Sequence, residues 1–178
     1  MWGYSTFEDC TGLTSIIVDT ENPKYDSRDN CNAIIETATN TIIAGCKNTF
    51  IPNSVTSIGC AAFYSCTGLT SISIPNSVTS IGSYAFARCT GLTSISIPNS
   101  VTNIGSFAFD HCTEIETLEF NAENCIKCGD ISESKYSTMI MYAFPQTISN
   151  VIIGESVSIL PNYFLSRCWK LVYIKIFV

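Results

Sequence analysis

The sequence predicts a repeat solenoid, rich in β-structure, in which parallel strands and short helical turns recur from coil to coil. Two observations predict this fold class. Three consecutive copies of one 23-residue unit open at Ile51, Ile74 and Ile97, and the apolar residues of each copy fall at the same positions. Internal similarity at a fixed period of this size is typical of coils that stack on their neighbours.

The first position of the unit recurs along the whole chain. Its steps are 23 residues long except for two of 33, and its occupants are Val18, Ile51, Ile74, Ile97, Phe120, Ile153 and Ile176. We therefore expect about seven coils in a single domain over residues 1–178. The extra residues of the two long steps predict two insertions, a hairpin at about 31–46 and a second excursion at about 121–138.

A strand is predicted in each coil. In residues 69–74, Ile72 and Ile74 alternate with Ser71 and Ser73, which is the period-two pattern of a strand with one buried face. Pro75 then turns the chain, because proline donates no ladder hydrogen bond.

One turn of α- or 3₁₀-helix is predicted further along, because Ala85, Phe86 and Cys89 stand at positions i, i+1 and i+4. A lone coil cannot fold. Ordering its backbone costs about 1–2 kcal/mol per residue, whereas each of its roughly seven inward side chains contributes about 1.5–3 kcal/mol. Stacking on neighbouring coils must supply the difference.

The repeated pattern resembles a known family. The run L-x-x-I-x-I-P-x-x-V-T-x-I-G-x-x-A-F-x-x-C-x-x-L is similar to the BspA-like leucine-rich repeat, and the three central copies match it at nearly every position. The resemblance implies a curved solenoid in a cell-surface or secreted protein that recognises proteins or glycans on host or neighbouring cells. It implies no catalytic residues and no cofactor.

Charge and hydrophobicity exclude two classes of partner. The net charge of −6 and the pI of about 4.6 argue against nucleic-acid binding, which needs clustered Lys and Arg. No apolar run reaches 18 residues, so we expect no membrane span. No charged and apolar leader of the signal-peptide kind opens the chain, and we therefore expect its export signal, if the surface location applies, to lie outside this sequence.

The cysteines are predicted to be structural. One position of the unit is occupied by Cys10, Cys66, Cys89, Cys112 and Cys168, and we expect these to form a buried column of free thiols. Residues 32–36 and 41–45 predict a hairpin in which Cys31 faces Cys46, as either a cross-strand disulfide or two free thiols. Cys125 and Cys128 form a lone C-x-x-C without the further ligands that a zinc site requires.

Two surfaces are candidates for binding. The outward residues of the predicted strands form the first, with Ser15 and Ile17 at its start, and comprise Ser71, Ser73, Ser94, Ser96, Thr117, Glu119, Tyr173 and Lys175. The second is the set of outward residues beside the predicted helical turns, which differ from coil to coil: Tyr64, Tyr84, Arg88, Phe107 and His111. Aromatic residues and Arg are enriched at the centres of interfaces.

The sequence bears on three candidate functions. The first is a non-enzymatic interaction or adhesion module, and the second is a spacer or stalk segment of a longer surface protein. An enzyme is disfavoured because His111 and Cys112, the one adjacent His and Cys, are predicted to point to opposite sides of the coil wall. The apolar last strand, which includes Tyr173 and Lys175, also predicts end-to-end self-association.

Overall fold

The computed structural model describes residues 7–134, 137–162 and 164–177. A short 3₁₀ turn, Arg28–Asn30, accompanies thirteen strands in this part of the chain. In chain order the strands are β1 Tyr25–Asp26, β2 Ala33–Glu36, β3 Thr41–Gly45, β4 Ser57–Ile58, β5 Ser80–Ile81, β6 Ser94–Ile97, β7 Asn103–Ile104, β8 Thr117–Phe120, β9 Lys127–Cys128, β10 Asp130–Ser134, β11 Ser137–Met141, β12 Asn150–Ile153 and β13 Tyr173–Ile176.

The stack of coils is clearest in a seven-stranded sheet of order β1-β2-β3-β4-β5-β7-β9. From β3 to β9 its strands are parallel, and each belongs to a successive coil. Ser57 pairs with Ser80, and Ser80 with Asn103, at the 23-residue step that the sequence predicted. This sheet contains about five stacked turns, fewer than the seven expected, and the prediction of a repeat solenoid is confirmed.

A four-stranded parallel sheet of order β13-β12-β8-β6 forms a second wall. Its register places Ile97 beside Phe120, Phe120 beside Ile153, and Ile153 beside Ile176, as the repeat predicted. Residues 69–74, predicted as a strand, form no ladder in the described structure. In the coil before them, the Thr49 N–H donates to the Cys46 carbonyl and the Phe50 N–H donates to the Cys31 carbonyl. Residues 69–74 therefore have no extended strand in the preceding coil with which to pair.

The predicted helical turn is wrong. At this position the chain makes consecutive tight turns, in which the N–H groups of Ala85 and Ala87 donate to the carbonyls three residues earlier. The intervening N–H groups of Tyr84, Phe86 and Arg88 donate instead to the next coil at 2.8–3.0 Å. A helix would use all of these amides within the coil, so bonding between coils excludes it.

Phenylalanine rings run through the core from coil to coil. Phe63, Phe86, Phe109 and Phe144 stack with centroid separations of 4.9, 5.1 and 5.5 Å, and neighbouring planes lie within 6° of parallel. All four side chains are buried. Stacked pairs at such separations add to the burial of apolar area, and the column therefore joins the coils into one core.

The two insertions are both hairpins. The first is β2 and β3, which pair antiparallel and join the main sheet through β4; its turn contains Asn40 at a φ of 50°. The second is β10 and β11, a separate two-stranded sheet. The predicted bounds of 121–138 are therefore corrected to about 130–141. Residues 127–128 belong to the coil stack, because they pair with β7 in the seven-stranded sheet and the Gly129 N–H donates to the Ile104 carbonyl.

Candidate functional site

The outer side of the four-stranded sheet, here called the strand face, aligns the predicted residues in two columns. One contains Ser94, Thr117, Asn150 and Tyr173. The other contains Ser96, Glu119, Ile152 and Lys175. Asn150 and Ile152 were not predicted as members of this face. Their 33-residue offset from Thr117 and Glu119 was the available signal.

The strand face presents different side chains in successive coils. Glu119 accepts a hydrogen bond from Asn121 at 3.2 Å, and the Lys175 ammonium lies 4.2 Å from the centroid of Phe177. Ser71 and Ser73 are exposed but lie outside the sheet. The face therefore offers short polar side chains in the middle of the chain and larger ones towards its end.

The second surface, here called the turn face, consists of Tyr64, Tyr84, Arg88, Phe107 and His111, and the structure extends it with Asp110, Tyr142 and Arg167. The rings of Tyr84 and Phe107 stack at 5.1 Å, and the ring of Tyr142 meets Phe107 edge-on at 5.5 Å. The guanidinium of Arg88 lies 5.7 Å from the centroid of Tyr64. Side chains from four successive coils thus contact one another.

Arg167 repeats the arrangement of Arg88 near the end of the stack. Its guanidinium lies 5.8 Å from the centroid of Tyr142. Arg167 and Tyr142 were not predicted as members of the turn face, although both fall at positions equivalent to predicted members. Insertions and divergence in the last coils hid the correspondence.

Backbone geometry at the turn face is unusual. Tyr84, Arg88, Phe107, His111 and Arg167 all have left-handed backbone conformations, with φ between 56° and 68°. Side chains with a Cβ adopt this region at a cost of about 1–2 kcal/mol relative to the right-handed region. In the first central coil, Ala61 and Ser65 occupy the positions equivalent to Tyr84 and Arg88 and have the same conformation, with φ of 55° and 58°. The left-handed conformation therefore belongs to the repeat, and the later coils place large side chains on it.

Some charged side chains of the turn face have an ionic partner among the described residues, and others do not. The His111 Nδ1 lies 2.8 Å from the Asp110 carboxylate. Arg88 and Arg167, by contrast, make ring contacts but no ion pair with any described carboxylate. Partial burial raises the pKa of Tyr84, and the nearby Asp110 carboxylate adds to the shift. Tyr84 therefore stays protonated and keeps its hydroxyl donor at neutral pH.

Comparison with known families identifies the repeat. The family model described as the BspA type leucine-rich repeat region matches residues 43–139 in six copies. The chain belongs to the BspA-type leucine-rich repeat family. A comparison with curated proteins finds no match.

Solved structures give this BspA-type chain the same fold. A leucine-rich cell surface protein from Faecalibacterium prausnitzii is 26% identical, with a TM-score of 0.70 over 98% of this chain and 44% of that one. A leucine-rich repeat protein from Eubacterium ventriosum is 22% identical, with a TM-score of 0.67 over 97% of this chain and 44% of that one. The BspA-type chain spans less than half the length of either protein.

Most of the predicted thiol column is buried in the BspA-type core. Cys89, Cys112 and Cys168 are buried free thiols, Cys66 is half-buried and Cys10 is exposed. Burial raises the pKa of Cys66 to about 11 and that of Cys112 to about 12. Cys112 donates to the Phe86 carbonyl whereas His111 is exposed. The structure therefore separates the adjacent His and Cys.

The predicted facing of Cys31 and Cys46 is wrong. Ile35 pairs with Ile42 as expected, but a bulge between Ile34 and Ile35 shifts the pairing by one residue, so that Ala33 pairs with Gly45. Because a shift of one residue reverses the face of a strand, Cys31 lies in the main core and Cys46 in a smaller cluster with Ile16 and Ala44. Both cysteines are free thiols.

Cys125 and Cys128 occupy core positions of the repeat. Cys128 pairs with Ile104 in the ladder. Cys125 stands three residues before Cys128, just as Val101 stands three residues before Ile104. Both are buried, and burial raises their pKa. Within the described residues, no group of three or more His, Cys, Asp or Glu could hold a metal ion.

A shallow concavity of about 600 Å³ lies beside residues 15–20 and the first hairpin. Asp26 and Arg28 on its wall form a bidentate ion pair, with Nε and Nη2 at 2.9 and 2.6 Å from the carboxylate oxygens. Arg28 also donates to Asn40 at 2.8 Å. Arg28 therefore joins the 3₁₀ turn that precedes the hairpin to the hairpin turn at Asn40.

The last described coil presents apolar residues to solvent. Ile174 and Ile176 continue the core positions of Val151 and Ile153 in the ladder, yet their side chains are 49% and 60% exposed. End-to-end self-association through this surface stays a prediction. In the portion of the chain that the structure describes, no helix is long and apolar enough to cross a membrane.

Proposed function

We propose that this chain is a non-enzymatic interaction or adhesion module of a cell-surface or secreted protein, and that its partner contacts the turn face. The partner is a protein or glycan on a host or neighbouring cell. The observation that carries the proposal is the set of ring contacts between successive coils, in which Tyr84 stacks on Phe107 and Arg88 lies over Tyr64.

The composition of the turn face supports a binding role. Tyr and Arg are the residues most enriched among those that dominate binding energy, and here they lie in contact across successive coils. The surrounding scaffold repeats almost unchanged while these outward positions vary. Such a distribution fits a constant framework that presents a variable surface.

The family context supports the location. A solved protein of similar fold is described as a leucine-rich cell surface protein. The acidic net charge and the few charged residues of this chain argue against a nucleic-acid partner.

Binding of the recombinant chain to arrays of matrix proteins and glycans tests the proposal. We expect a ligand whose binding falls at least about tenfold in Tyr84→Ser and Phe107→Ser, since tenfold corresponds to only about 1.4 kcal/mol. Both changes remove ring contacts without altering charge. Ser96→Arg on the strand face is the matched control and should leave binding unchanged.

Two results would contradict the proposal. Loss of binding in Ser96→Arg alone would place the ligand on the strand face. Absence of any ligand on either array would favour the spacer function. Equal loss in all variants, with lowered melting temperatures, would show that the substitutions act through folding.

A further inference from the structure

We infer that the turn face binds an acidic, extended segment of a partner protein, with Arg88 and Arg167 each receiving a carboxylate. This inference rests on the proposed function and names the chemistry of the partner. It follows from the unpaired guanidiniums, from the way in which the rings are covered, and from the spacing between the two arginines.

Arg88 and Arg167 differ in their interactions from Arg28, the other arginine of the chain. Arg28 uses two of its nitrogens on Asp26 and a third on Asn40. The guanidiniums of Arg88 and Arg167 lie over tyrosine rings and make no ion pair or side-chain hydrogen bond within the described part of the chain. A guanidinium has five donors in a fork that matches a carboxylate. Both side chains are exposed, so these donors face solvent.

The tyrosine rings hold the guanidiniums in place. Each arginine lies over the ring of a residue from the coil before it, Tyr64 for Arg88 and Tyr142 for Arg167. A cation over an aromatic ring is attracted to the negative face of the ring, which limits the freedom of the long side chain. Less side-chain entropy is then lost when a carboxylate binds.

The ring arrangement favours a peptide over a sugar. Tyr84 and Phe107 each cover one face of the other in a stack at 5.1 Å, and Arg88 and Arg167 cover one face of the Tyr64 and Tyr142 rings. These contacts leave fewer open ring faces for a sugar to pack on. The ring edges carry partial positive charge and are suited to carboxylate and carbonyl oxygens.

The two arginines lie three coils apart, with His111 and Gln146 at the equivalent positions between them. At about 4.8 Å per coil their separation is roughly 14 Å. An extended chain advances about 3.3–3.4 Å per residue, and residues an even number apart point to the same side. Carboxylates at positions i and i+4 of an extended segment would therefore reach both guanidiniums.

A pair of labelled peptides tests the inference. The probe alternates threonine and valine around aspartates at i and i+4, and the control carries asparagine at both positions. We expect the probe to bind the whole chain and the control to bind at least about tenfold more weakly, because charge-assisted hydrogen bonds are lost. Arg88→Ala and Arg167→Ala should each weaken probe binding by a similar factor. Binding should also weaken as salt is raised.

Lys175→Ala is the matched control variant, since it removes one positive charge from the strand face and should leave probe affinity unchanged. Equal affinity for both peptides, or equal loss in Lys175→Ala, would overturn the inference. Tighter binding of a sulfated oligosaccharide with the same dependence on Arg88 and Arg167 would overturn it in favour of an anionic glycan.

Different results would overturn the inference and the proposed function. If array ligands are lost in Tyr84→Ser but retained in Arg88→Ala and Arg167→Ala, the turn face binds its partner without acidic recognition, and only the inference is wrong. If Tyr84→Ser retains every ligand, the proposed function is wrong as well.

Discussion

The thiol sulfur of Cys89 lies 3.0 Å from the carbonyl oxygen of Phe63, in the preceding coil. The same carbonyl accepts the N–H of Cys66 within its own coil at 3.0 Å. Cys112 has the same relationship to Phe86, again at 3.0 Å. The cysteine column therefore does more than fill space, because each of these thiols links one coil to the carbonyl of the coil before it.

Replacing Cys89 or Cys112 with alanine should lower the free energy of unfolding by about 1–2 kcal/mol. A net hydrogen bond contributes about 0.5–1.5 kcal/mol, and removal of the buried sulfur adds a packing loss. Denaturant titration measures the change. Cys60→Ala is the matched control, because Cys60 is exposed and surface substitutions usually stay within about 0.5 kcal/mol. Equal effects at all three positions would rule out a special role for the column.

Thiol alkylation should distinguish the exposed cysteines from the buried ones. Burial raises the pKa of Cys112 to about 12 and also raises the pKa of Cys89, so little of the reactive thiolate forms below about pH 9. We expect Cys10 and Cys60 to react in the native protein, and Cys89 and Cys112 only as the chain unfolds. Mass spectrometry of labelled peptides between about pH 7 and 9 provides the test. Native Cys89 that reacts as fast as in denaturant would contradict its burial.

Glycine at position 105 allows two coils to approach closely. A Cβ atom there would lie 2.7 Å from the Gly82 carbonyl carbon and would also clash with the Ser83 backbone. Gly105→Ala should therefore destabilise the protein by about 1–3 kcal/mol, as overpacking usually does. At Gly12 a Cβ atom would meet nothing within 4 Å, so Gly12→Ala should be nearly neutral. Thermal melts of the two variants give the comparison, and similar melting temperatures would contradict it.

The Asp26–Arg28 ion pair should contribute stability that depends on pH. The hydrogen bonds from Arg28 lower the pKa of Asp26 below its ordinary value. As pH falls below about 4, the unfolded chain takes up a proton at Asp26 before the folded chain does. The stabilisation is therefore present above this range and lost as pH falls through the folded pKa. Both side chains are partly exposed, so it should stay below about 1 kcal/mol.

A double-mutant comparison isolates the effect of that ion pair. The stability difference between the natural chain and Asp26→Asn should shrink as pH falls from about 6 to about 3. In an Arg28→Ala background the same substitution should show a smaller trend, because only the backbone N–H of residue 28 still donates to the Asp26 carboxylate. An undiminished trend without the Arg28 side chain would assign the effect to another group.

The repeat period determined most of what could be predicted. Ile97, Phe120, Ile153 and Ile176 are ladder partners because an apolar position that recurs at a fixed step must face the same core. The two 33-residue steps likewise predicted two insertions, although the second lies at about 130–141 rather than 121–138. At the turn face the sequence showed which outward positions vary, and four of those residues, Tyr64, Tyr84, Arg88 and Phe107, do make ring contacts there.

Features that depend on backbone detail could not be predicted. The spacing of Ala85, Phe86 and Cys89 fits a helical turn and a series of tight turns equally well, and bonding between coils decides for the latter. One bulge between Ile34 and Ile35 separates Cys31 from Cys46, and no local residue pattern marks it. The left-handed conformation of Tyr84 was also hidden, because tyrosine rarely adopts it.

Hydroxyl-radical footprinting of the chain, free and saturated with a partner from the arrays, tests most directly whether the turn face carries recognition. Oxidation of Tyr84, Phe107 and His111 should fall on binding, while that of Tyr173 on the strand face and the exposed Trp169 stays unchanged. Protection of Tyr173 with no change at Tyr84 and Phe107 would contradict this assignment and place the binding site on the strand face.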